Sequence, residues 1–116
     1  MTVLFPDILD ETSIENGVIL TLSIPKDLAY FEGHFDKIPI VAGVVQIHWA
    51  VYYAQQYLGL NAVFKDMEAI KFKELLLAEQ AFKLELNFSK TSQKLLFSYY
   101  SENTEYSSGR IYFHAV

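Results

Sequence analysis

The segment GVVQIHWAVYYAQQYL, residues 43–58, limits most strongly what this chain can become. Val44, Ile47, Val51, Ala54 and Leu58 recur at helical spacing, and Gly59 and Asn61 follow as stop signals. At 1.5 Å per residue this is one helix about 24 Å long. Its other side carries Val45, Trp49, Ala50 and Tyr53, so apolar or aromatic residues run nearly all the way round. Such a helix is expected at the centre of the fold, enclosed by the rest of the chain. With 116 residues the chain has the length for one domain, residues 1–116, with a core that needs no disulfide or metal clip.

The enclosure has to be β-structure. Residues 17–24 place Val18, Leu20, Leu22 and Ile24 at period two before Pro25. Residues 81–88 alternate Phe82, Leu84, Leu86 and Phe88 with Lys83, Glu85 and Asn87, the pattern of a half-buried strand. Extended segments are also expected at 67–75, 93–100 and 109–116, the last two separated by a polar turn, SENTEYSSG. Residues 29–42 hold one glycine and one proline without a period and read as an ordered connection packed over something. The order predicts an α+β domain in which an antiparallel sheet of five or six strands wraps around one central helix.

Composition removes several function classes. A chain with 52% hydrophobic, 16% aromatic and 20% charged residues is not disordered and asks for a filled interior or a large apolar interface. The absence of cysteine excludes a disulfide framework, a thiolate nucleophile and a thiolate metal site. A net charge of −5, with one arginine among nine basic residues, argues against nucleic acid. No run approaches the roughly 20 apolar residues of a membrane span. The first residues, MTVLFPDILDE, lack the basic and apolar regions of a signal peptide, so a cytoplasmic location is expected.

The chemistry concentrates in residues 30–50, YFEGHFDKIPIVAGVVQIHWA. Pro39, Gly43 and His48 stand five, nine and fourteen positions after His34, with Gly43 opening the helix. With Gly33-His34-Phe35, this set resembles the signature of the hotdog-fold β-hydroxyacyl-thioester dehydratases of fatty acid and polyene biosynthesis. That signature is Gly-His-Phe, a proline five residues after the histidine, a Pro-Gly pair at the helix start, and an acidic residue on the helix. Here Ala42 stands in place of the second proline, and His48 in place of the acidic residue; the helix holds no carboxylate. The Gly-Val start and the His-Trp-Ala run look most like the branch associated with aryl-polyene-type lipids.

The resemblance implies a hotdog fold, a homodimer or higher assembly, no cofactor, and a substrate in which a 3-hydroxyacyl chain is borne on acyl carrier protein. Losing water from such a thioester needs a base for the α-proton, a donor for the leaving hydroxyl and a site for negative charge on the thioester oxygen. His34 suits the base, since an imidazole titrating near pH 6.5 is available unprotonated at about neutral pH. The first amides of the helix, Gly43 and Val44, suit the oxyanion, and glycine permits close approach. His48 suits the donor, because imidazole has an N–H in either charge state. Glu32 and Asp36 could orient His34.

Each assignment has a structural alternative. His48, four residues after Val44 and three before Val51, also reads as a hydrogen-bonded core histidine. His114 reads as a surface or interface residue. Phe31, Val41, Val45 and Trp49 line an acyl channel on the functional reading and form plain core on the other. Lys71 and Lys73 share a strand face that would meet an acidic carrier protein or simply face solvent. Two rival functions fit the same fold: an acyl thioesterase, which typically needs a carboxylate on the central helix, and a non-catalytic subunit that binds acyl chains or completes a heterodimer.

Overall fold

The computed structural model describes residues 4–27 and 40–114. Six strands and one helix follow in the order β1 (Asp7–Ile14), β2 (Gly17–Ser23), α1 (Gly43–Leu58), β3 (Val63–Phe72), β4 (Ala81–Ser89), β5 (Lys94–Ser101) and β6 (Thr104–His114). All six form one antiparallel sheet with strand order β1-β2-β4-β5-β6-β3. The helix packs on this sheet against β2 and β4, which is the hotdog arrangement expected.

The helix bounds agree with the periodicity. Gly59 closes α1 in the left-handed region at φ 65°, where glycine carries no Cβ penalty, and its N–H donates to the Ala54 carbonyl. The buried face is Val45, Gln46, Trp49, Ala50, Tyr53 and Ala54. It meets the alternate residues of the strands, among them Leu20, Leu22, Leu84, Leu86, Leu95, Phe97 and Ile111. Enclosure on nearly all sides is corrected here. Val44 is 73% exposed and His48 is exposed, while Ile47, Val51 and Leu58 are only partly buried. Trp49 and Tyr53 bring the larger apolar areas, so the face that carries them takes the sheet.

Two strand readings also change. The polar stretch read as a turn is one only at Glu102 and Asn103; from Thr104 the chain is already in β6, with Tyr106 and Ser107 buried. A buried serine is tolerated there because its hydroxyl is hydrogen-bonded. The segment expected at 67–75 begins earlier, at Val63, and ends at Phe72, so Lys73 falls outside β3. Lys71 pairs opposite Ser108, while Lys73 forms an ion pair with Glu105 at 3.4 Å.

Candidate active site

The expected site straddles the start of α1. His34, Phe31, Glu32, Gly33, Phe35, Asp36 and Pro39 lie outside the described residues. The chain re-enters at Ile40, which bridges to Leu77, and Val41 N–H donates to the Leu76 carbonyl at 2.8 Å. These contacts fix the end of the motif against the segment between β3 and β4.

The helix starts without a side-chain cap. Ala42 is the N-cap residue in extended conformation, and its carbonyl accepts from Val45 N at 3.0 Å and Gln46 N at 3.2 Å. The first turn contains no acidic residue. Among the described residues the Gly43 and Val44 N–H groups have no acceptor, and at a helix N-terminus the aligned peptide dipoles favour negative charge. A Cβ on Gly43 would lie 2.5 Å from Cζ of Phe72, so the ring of Phe72 takes that space. A Cβ at this position would oblige the half-exposed Phe72 ring to move aside.

His48 is exposed, one turn and a fraction beyond these amides, so the core-histidine alternative does not describe its position. Among the described residues it has no hydrogen bond or ion pair, and its ring contact is Phe5, with centroids 6.2 Å apart. Val41, Val45 and Trp49 are buried, and the Trp49 indole N–H donates to the Leu4 carbonyl at 3.1 Å. His114 is exposed as the last residue of β6.

Three groups that the motif does not mark hold the site in place. Gln46 is buried between helix and sheet: its Nε2 donates to the Val41 carbonyl at 3.0 Å, and its Oε1 accepts from Ser107 Oγ at 2.6 Å. The Tyr99 hydroxyl donates to the Gln46 main-chain carbonyl at 2.7 Å. One buried network thus links the incoming loop, the helix and strands β5 and β6. Burial pushes the Tyr99 phenol well above its ordinary range, and burial with the neighbouring Tyr52 does the same for Tyr53. Gln46 was detectable as the polar residue at helical spacing from Trp49 and Tyr53. Its partners, 53 and 61 positions away, carried no such signal.

A cavity of about 650 Å³ opens at the other end of the helix, lined by residues that include Asn16, Leu58, Phe88, Lys90 and Lys94. Among the described residues, none of the expected site residues borders it.

The comparisons with known proteins agree with this geometry. The structure is similar to a chain of the dehydratase heterocomplex ApeI:P from Xenorhabdus doucetiae, with a TM-score of 0.87 and 27% identity over 94% of this chain and 97% of that one. It is similar to an uncharacterised protein from Erwinia carotovora subsp. atroseptica, with a TM-score of 0.82 and 32% identity over 97% and 98% of the two chains. An uncharacterised Pyrococcus horikoshii protein, at 17% identity, a TM-score of 0.65 and coverage of 98% and 85%, shares the fold. No curated protein matches the chain. The family described as ApeI-like, ApeI dehydratase, matches residues 10–110, and the chain belongs to this ApeI-like dehydratase family.

Proposed function

We propose that the protein dehydrates 3-hydroxyacyl thioesters borne on acyl carrier protein to trans-2-enoyl thioesters. The observation that carries the reading is the start of α1, which no side chain caps, with Gly43 and Val44 in its first turn and an exposed His48 on the next, in a member of a dehydratase family. His34 takes the α-proton as base. The electrons move onto the thioester oxygen, which the Gly43 and Val44 amides receive. As they return, the Cα–Cβ double bond forms, the Cβ–O bond breaks, and His48 gives its proton to the departing hydroxyl, which leaves as water. The proton held by His34 passes back through solvent to His48, restoring both groups.

An exposed sheet edge supports the same reading. Strand β3 is an edge of the sheet, and two register shifts place Phe64, Met67 and Phe72 opposite the inward residues Phe113, Ile111 and Ser107. Phe64 and Phe72 are nevertheless half exposed, at 52% and 51%. An unpaired edge with an apolar face favours association, so a homodimer is the working form. A second reading, a subunit that works only with a different partner chain, has support from the solved ApeI:P heterocomplex and from the helix without a carboxylate.

The test is the purified protein alone, incubated with a 3-hydroxyacyl carrier protein, with enoyl product measured. Product from the wild type is expected, none from His34→Ala, and roughly two to four orders of magnitude less from His48→Ala. A wild type that is inactive until a second chain is added selects the heteromeric reading. A folded, fully active His48→Ala removes His48 from the mechanism.

A further inference from the structure

The segment preceding β1 runs beside α1 at Trp49, Tyr52 and Tyr53. The Leu4 carbonyl accepts from the Trp49 indole, and Pro6 is buried. Between them, Phe5 sets its ring 4.4 Å from that of Tyr52 and 6.2 Å from those of Tyr53 and His48. The Phe5 and His48 planes lie 33° apart, within the range in which aromatic pairs attract. An exposed imidazole with no hydrogen bond among the described residues would otherwise be free to exchange rotamers. Among the described residues, the aromatic ring beside it is Phe5, itself held by the Leu4–Trp49 bond and the Tyr52 ring.

We infer that Phe5 is a positioning residue for His48, restricting the imidazole to the rotamer from which it serves the reaction. The inference rests on the reading of His48 as proton donor. The strap therefore belongs to the site, although it lies far from the motif in sequence. Phe5 does not touch the reacting atoms. Its effect is on the fraction of time that the donor is aimed, so it should act on turnover and leave substrate affinity nearly unchanged.

The test uses the purified full chain with Phe5→Leu, which keeps an apolar side chain without a ring, and Phe5→Tyr, which keeps the ring. Aromatic carbon–proton NMR spectra, with the His48 signals assigned by their loss in His48→Ala, report the ring-current shift on the imidazole. Phe5→Leu should move those signals and lower turnover roughly two- to tenfold, with KM within about twofold. Phe5→Tyr should restore both, and Phe5→Leu should cost nothing further in a His48→Ala background. Unmoved His48 signals, unchanged turnover, or an equal loss in the His48→Ala background each overturn the assignment. If His48→Ala is fully active, the donor reading falls and takes this assignment with it. Unmoved signals with an inactive His48→Ala overturn the Phe5 assignment alone.

Discussion

Gln46 shows how a single side chain couples the site to the sheet. Replacing it with leucine keeps the apolar contacts of the helix face but strands the Ser107 hydroxyl and the Val41 carbonyl in a buried place. Gln46→Leu should therefore lower stability by about 1–3 kcal/mol, read as a lower urea midpoint at unchanged slope. Gln46→Leu with Ser107→Ala should recover part of that loss, since the second change removes one of the stranded groups. At the residue level a candidate site could be named where the pattern was local: Gly33-His34-Phe35, Pro39, Gly43 and His48 occupy one short stretch. The groups that meet the first turns of α1, Ser107, Tyr99, Phe72 and Phe5, come from distant strands and the leading segment. Only the register of the folded sheet brings them together.

Elements were legible in proportion to how much water one of their faces loses. Helix α1 and strands β2, β4 and β5 each bury one face and carry the corresponding period. Strand β1 is exposed along nearly its whole length, so no alternation was required of it, and it was not foreseen. Strand β3 is an exposed edge whose two register shifts break the period of two. The contact between β3 and the helix start yields a prediction of its own. Gly43→Ala puts a methyl against the half-exposed Phe72 ring, which must swing aside, and should lower the melting temperature. Phe72→Ala in the same chain should relieve that strain. If the double variant is no more stable than Gly43→Ala alone, the Phe72 ring is not what demands glycine. If it regains stability but not turnover, a hydrogen at Gly43 also serves the substrate.

For the whole molecule, the buried phenols set an alkaline limit. Tyr53 and Tyr99 hold their protons in the folded state to higher pH than in the unfolded chain, where tyrosine titrates near pH 10. Below about pH 10 both states are protonated and the stability is complete. Above it the unfolded state loses protons first, and stability falls as pH rises toward the folded values. Melting temperatures taken from pH 8 to 11 should be level and then decline, and Tyr99→Phe should flatten the decline while lowering the plateau through loss of the bond to Gln46. An equally steep decline in Tyr99→Phe would assign the effect to other groups. The strand order has a further consequence, for how the chain is made. Strands β4, β5 and β6 follow one another through short turns and can assemble locally, whereas β2 meets β4 only after α1 and β3 have intervened. During synthesis the first hairpin and the helix leave the ribosome before the strand that joins them to the sheet exists. For that interval Leu20, Leu22, Trp49 and Tyr53 have no interior to enter, and the nascent chain is then most open to capture by chaperones or by a neighbouring copy.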